Sequence, residues 1–226
     1  MSSVLIICDG RLPAELKANL RKYGDVLSFA TKGIVYDAIS GHPDIFFHRS
    51  GKKVVCAPCT PPAYLDALAR VGAELIKGES RLGDKYPQTV YYNAVAGEKY
   101  LYCNSQYVDS RVVGLHAGKE IFHLNQGYVA CNMVVGGNTV LTSDAGIAKA
   151  LNAAFFDPAE IILKGVNHGF IGGSCFVTDD MLLLNGSLRF VSQRDKILKF
   201  AEENNLKIIE LYNGPLIDGG GLLVIG

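Results

Sequence analysis

The stretch Tyr128-Val-Ala-Cys-Asn-Met-Val-Val135, followed by Gly136-Gly-Asn138 and Thr139-Val-Leu-Thr142, decides the fold. Two short apolar runs of β type flank a turn whose Gly and Asn residues tolerate positive φ, which is hairpin chemistry. Ser143 and Asp144 then offer N-cap side chains for a helix over residues 145–155, and residues 160–163 read as a third strand. The unit is strand, tight turn, strand, helix, strand.

The same order recurs along the chain. A first copy runs through Asp44-Ile-Phe-Phe-His48, a turn at Ser50-Gly51, Lys53-Val-Val-Cys-Ala57, a helix over 62–71 and a strand over 73–76. A second has strands at 89–95 and 100–103 around Ala96-Gly97, a helix over 107–115 and a strand over 120–124. A fourth has strands at 170–177 and 181–184 around Asp179-Asp180, a helix over 191–203 and a strand over 207–211. The turn anchors Gly51, Gly97, Gly137 and Asp179 are 46, 40 and 42 residues apart. Leu65, Leu68 and Ala69, and likewise Ile197, Leu198 and Ala201, form the apolar stripes of amphipathic helices.

The two ends supply a further unit. Strands are expected at 4–7, 26–29 and 221–225, with a helix over 13–23 that has Pro13 in its first turn. Pairing the terminal strands gives a fifth, split unit, and closure of five units removes exposed sheet edges. An ordinary open α/β sheet alternates single strands with helices, whereas here three strands separate successive helices. The expected fold is therefore α/β, a closed five-unit β-β-α-β propeller forming one domain over residues 1–226.

The chain's 226 residues are 49% hydrophobic, enough to bury a sizeable core and incompatible with disorder. Lys+Arg and Asp+Glu are each 22, so bulk charge does not point to nucleic acid or an anionic membrane. The opening apolar run is too short for a signal-peptide core, and no segment approaches a membrane span, so a cytoplasmic location with reduced thiols is expected. Cys56-Ala-Pro-Cys59 has redox or zinc spacing, but no second pair exists, and two thiols at a strand end is the simpler reading. His48, His116 and His123 lack metal-ligand spacing, and the glycine runs 169–173 and 219–221 enter strands rather than open helices. No metal or cofactor is expected.

A ring of five β-β-α-β units resembles the pentein fold of the guanidino-modifying enzymes (arginine deiminase, dimethylarginine dimethylaminohydrolase, amidinotransferases) and of a ribosome anti-association factor. The likeness covers the whole chain. Ala130-Cys-Asn-Met-Val-Val-Gly-Gly-Asn-Thr-Val-Leu141 is similar to the third module of the dimethylarginine hydrolases and Ile217-Asp-Gly-Gly-Gly-Leu-Leu-Val-Ile225 to their last, while Gly169-Phe-Ile-Gly-Gly-Ser174 is similar to an uncharacterised bacterial branch. The resemblance implies a catalytic His in the third module and a nucleophilic Cys in the last. Those positions are Gln126 and Leu222 or Leu223 here, and only the first-module acid finds a match, at Asp44. The family's usual reaction is therefore not expected, and enzymatic activity stays open.

In such a ring the first strand of every unit starts near the axis. The polar residues there are His42 and Asp44, Gln88, Gln126, Asn167 and His168, and Asp218. Converging polar groups in an apolar chain mark a ligand pocket. The candidate catalytic residues are Asp44, His168 and Cys131, and the candidate substrate-binding residues are His42, Gln126, Asn167 and Asp218. Each has a plainer alternative: Asp44 and Asp218 as turn residues, His168 as a loop histidine, Cys131 and Cys175 as small buried side chains. Two functions follow. One is a pocket for a small polar molecule bearing an amidino, guanidino or amide group, with possible hydrolysis. The other is a non-enzymatic module that binds through the face of the ring.

Overall fold

The computed structural model describes residues 4–137 and 139–226. Asn138 of the expected third hairpin turn lies outside the described residues. The chain begins with β1 (Leu5–Asp9), α1 (Ala14–Leu20) and β2 (Asp25–Phe29). Next come α2 (Pro43–Phe46), β3 (Phe47–Ser50), β4 (Lys53–Cys56), α3 (Pro62–Arg70) and β5 (Glu74–Lys77). Then follow β6 (Val95–Ala96), β7 (Tyr100–Cys103), α4 (Ser110–Leu115) and β8 (Glu120–His123). The next set is α5 (Val129–Asn132), β9 (Met133–Gly136), β10 (Thr139–Thr142), α6 (Ala145–Leu151) and β11 (Ala154–Phe155). The chain ends with α7 (Ile171–Ser174), β12 (Cys175–Val177), β13 (Met181–Leu184), α8 (Arg194–Glu203), β14 (Lys207–Glu210) and β15 (Leu223–Ile225).

These strands form five separate three-stranded sheets: β3-β4-β5, β6-β7-β8, β9-β10-β11, β12-β13-β14 and β15-β1-β2. In each, the middle strand runs antiparallel to one neighbour and parallel to the other. The split unit obeys the same rule, with Leu5 opposite Ile225 antiparallel and opposite Asp25 parallel. Among the described residues no sheet closes on itself.

Apolar alternation explains how the sheets stack. In β1, Leu5 and Ile7 join a cluster with Phe46, Phe47 and Val54 of the first unit, while Ile6 and Cys8 join one with Leu183 and Leu211 of the fourth. Both faces of β1 are covered, so it reads as an uninterrupted apolar run. Val54 and Val55 meet Tyr92 and Leu101 of the second unit. Leu124 meets Met133 and Ile147, and Val134 and Leu141 meet Leu182 and Phe200. Each apolar cluster thus draws side chains from more than one unit.

Several expectations need correction. The strand expected over 89–95 is reduced to Val95–Ala96, with turns and irregular backbone before it, and the helix expected over 145–155 ends at Leu151. The strands expected from residues 44, 128 and 170 begin later, because α2, α5 and α7 occupy their first residues as single helical turns. The crowded centre accounts for this: a Cβ on Gly172 would lie 2.0 Å from the Ala130 carbonyl oxygen, so an extended row of side chains has no room. The third unit's last strand is Ala154–Phe155 rather than 160–163. Asn152 adopts φ 50°, a left-handed C-cap that ends α6 early and turns the chain back beside Leu141 and Thr142. Residues 158–160 form a 3-10 turn whose N-cap is Asp157. Among the described residues no helix is long and apolar enough to cross a membrane.

Candidate functional site

The starts of β3, β6, β9, β12 and β15 meet at a hub joined by hydrogen bonds between units. The Asp44 amide donates to the Gly220 carbonyl (3.2 Å), and Asn93 Nδ2 donates to the Asp44 carbonyl (3.2 Å). Asn93 Oδ1 accepts from the Ala130 amide at 2.7 Å. The Ile171 amide donates to Ser143 Oγ (3.0 Å), and the Gly219 amide returns to the Gly173 carbonyl (2.9 Å). Side chains on Gly173 and Gly220 would collide with Asp218 and His42, so glycine is a steric requirement here.

Three carboxylates stand in this hub. Asp9, at the end of β1, takes a bidentate contact from Arg11, whose guanidinium also donates to the carbonyls of Asp37 (2.6 Å) and Ala38 (2.9 Å). Arg11 therefore ties the hub to the loop that carries Tyr36 and Ile39. Asp218 accepts from the Gly220 and Phe170 amides, both at 2.9 Å, and burial raises its pKa. Asp44 accepts from the Cys131 thiol through Oδ2 at 3.0 Å, while its buried Oδ1 has no hydrogen-bond partner among the described residues. Burial pushes Asp44 up to about 6, with His42, Cys131 and Asn93 acting in the other direction.

His42 lies among these acids with its side chain 1% exposed. Nε2 is 3.8 Å from Asp9 Oδ2 and Nδ1 is 3.8 Å from Asp218 Oδ1, beyond hydrogen-bond reach. Neither ring nitrogen has a hydrogen-bond partner among the described residues. Burial, reinforced by the Asp44 charge, holds the Cys131 thiol well above its ordinary pKa, so it stays protonated at neutral pH.

A cavity of about 310 Å³ lies on the loop side of this hub. Tyr36, Tyr128 and Phe170 give it aromatic walls, and His42, Cys131, Asn167, His168 and Asp218 supply its polar lining. The Tyr36 and Tyr128 hydroxyls meet at 3.3 Å, and the Tyr128 hydroxyl also bonds Thr89 Oγ1 at 2.5 Å. His168 donates from Nδ1 to the Gly169 carbonyl at 2.9 Å, and its ring stands edge-on to Phe170. That bond places a proton on Nδ1, so in the neutral ring Nε2 is the acceptor.

Of the seven polar residues expected at the axis, four (His42, Asn167, His168 and Asp218) line this cavity together with the candidate Cys131, whereas Gln88 is exposed and lies outside it. Asp44 is one contact behind it, under Cys131. Gln126 lies elsewhere: its amide donates to Asp144 Oδ2 (2.7 Å) and accepts from the Tyr128 amide (3.0 Å), so its polar atoms are engaged within the third unit. Asp9, Arg11, Asn93, Tyr36 and Tyr128 were not expected here. Asn93 had a signal, being polar at the same hairpin register as Asn132 in the third unit. The other four sit in loops or at strand ends, where periodicity carries no information. Among the described residues no group of three or more His, Cys, Asp or Glu side chains is placed to hold a metal.

A family model for proteins of unknown function, DUF6873, matches residues 7–223. The chain belongs to that family. No curated protein matches the sequence. Among solved structures, this DUF6873 chain is similar to DDAH from Pseudomonas aeruginosa, a mutant complexed with citrulline, with a TM-score of 0.53, 8% identity and 93% of each chain covered. It is similar to an amidinotransferase of the saxitoxin biosynthetic pathway from Microseira wollei (TM-score 0.51, 10% identity, 92% of this chain and 88% of that one). An inosamine-phosphate amidinotransferase from Streptomyces griseus gives a TM-score of 0.53 at 13% identity, over 87% of this chain and 72% of that one. Such identities show the fold alone. It is the pentein fold that the repeat implied.

Proposed function

We propose that this DUF6873 member is a closed five-unit ring whose loop-side cavity captures a compact amidino- or guanidino-type cation. Two circuits support closure: the apolar clusters, each drawing side chains from more than one unit, and the hydrogen bonds that run through the hub from Gly220 by way of Asp44, Asn93 and Ala130 and return through Gly173. The observation that carries the binding reading is His42, its ring nitrogens unpartnered between Asp9 and Asp218, beside an aromatic-walled cavity. A buried carboxylate cluster favours a cation, and aromatic faces favour a flat one. His168 Nε2 is the acceptor for a ligand N–H, and Asp218 is the counter-charge.

This is reversible capture rather than covalent chemistry. Leu222 or Leu223 falls at the nucleophile position the resemblance implies, and Cys131 is a protonated thiol bound to Asp44. Five of the six thiols are buried and none is paired, which fits a cytoplasmic setting.

Thermal-shift titration with acetamidine, methylguanidine and agmatine, against urea and acetamide, tests the reading. The cations are expected to raise the melting temperature, by the equivalent of about 2.7 kcal/mol at a hundredfold excess over Kd. Asp218→Asn and His168→Ala are expected to abolish the rise. A wild type that responds to none of these cations overturns the proposal in favour of a module acting through its face.

A further inference from the structure

A second cavity, of about 290 Å³, lies on the strand side of the hub. Residues of β3, β6, β9, β12 and β15 line it, one strand from each sheet, and most are apolar, among them Val95, Met133, Val177 and Leu223. Asp44 and Arg49 are the charged residues in the lining. Asp44 uses Oδ2 for Cys131, which lines the other cavity, and its Oδ1 is buried without a hydrogen-bond partner among the described residues. An unpartnered buried carboxylate oxygen costs free energy until a donor reaches it. Arg49, further along β3, is exposed and makes no salt bridge among the described residues, although Asp179 is near enough to favour its charge.

The geometry points to a second ligand site in this cavity, for a small zwitterion whose ammonium group reaches Asp44 Oδ1 and whose carboxylate meets Arg49. The site is independent of the loop-side reading. One free oxygen suits a compact ammonium, because a guanidinium is held best by both oxygens of a carboxylate. A guanidinium in the lining disfavours a ligand that is only cationic, and a carboxylate in the lining disfavours one that is only anionic. The apolar walls between them fit a short methylene chain.

Isothermal titration with glycine, 4-aminobutanoate and 6-aminohexanoate, alongside butylamine and butanoate, tests this. One member of the amino-acid series is expected to bind at least tenfold more tightly than the amine or the carboxylate. Arg49→Gln, at an exposed position, is expected to erase its advantage over the amine, and Asp44→Asn to remove binding. Asn167→Ala, in the lining of the loop-side cavity only, is expected to leave it unchanged, which separates the two sites. No binding by any member of the series to the folded wild type, or equal binding by Arg49→Gln, overturns the inference.

Discussion

Cys131 Sγ donates to Asp44 Oδ2 across 3.0 Å, joining the third unit to the first through the hub. The contact places a thiol facing one cavity against an acid facing the other. Burial opposes charge on both groups, but the contact itself acts in opposite directions: it favours the Asp44 carboxylate and keeps the Cys131 thiol protonated.

The first consequence is chemical inertness. With iodoacetamide at pH 7.5, partly exposed Cys59 is expected to react first and Cys131 roughly 100-fold more slowly than in urea, read by mass spectrometry. Labelling of Cys131 ahead of Cys59 in the folded protein would mean that the thiol is activated.

Asp44 also sets a pH dependence. Its folded pKa of about 6 lies above the ordinary 3.8, so the native state binds the proton more tightly than the unfolded chain. Its contribution to stability therefore falls as pH rises from about 4 through 6, with a slope of up to about 1.4 kcal/mol per pH unit. Asp44→Asn is expected to flatten that part of a urea-denaturation pH series. An unchanged profile would refute the assignment.

The buried pair His48 and His116, Nε2 to Nε2 at 2.8 Å, works in the opposite direction. Burial and then the His116 charge push His48 down to about 3, and burial lowers His116. The unfolded histidines take up protons near 6.5, so the pair's contribution is complete above that pH and is lost as pH falls toward 3. His48→Gln is expected to reduce acid sensitivity between pH 6.5 and 4 in the same denaturation series, even where it lowers stability at pH 8. Equal acid sensitivity in both proteins would contradict a neutral pair.

Hub glycines and surface glycines should respond in opposite senses. A Cβ on Gly173 would fall 1.8 Å from Asp218 Oδ1, whereas one on Gly114, in α4, meets nothing within 4 Å. Gly173→Ala is expected to cost about 3 kcal/mol or more through overpacking. Gly114→Ala is expected to gain about 0.5–1 kcal/mol from helix propensity. Calorimetric melting temperatures of the two variants check the pair.

The hairpins and the split terminal unit were legible because their signals are local and periodic. Gly51, Gly97 and Asp179 mark turns, and the apolar runs of β1 and β15 could satisfy their edges only by pairing. The helical turns α2, α5 and α7 were not legible, since Asp44-Ile-Phe-Phe and its counterparts look extended until their collision at the hub is known. The same limit applies to the site. Asp44, His168 and Asp218 stood out as polar residues ahead of apolar strands. Gln126 had that pattern too, but Asp144, the N-cap of α6, lay close enough to capture it. Arg11 and Tyr36 enter through long-range contacts that no spacing encodes.

The most direct test is a crystal structure of the protein soaked with methylguanidine. Density for the ligand is expected in the loop-side cavity between Tyr36 and Phe170, within hydrogen-bond reach of His168 Nε2 and beside Asp218. A cavity that excludes methylguanidine at saturating concentration, or a ligand seated away from His168 and Asp218, would contradict the proposed site.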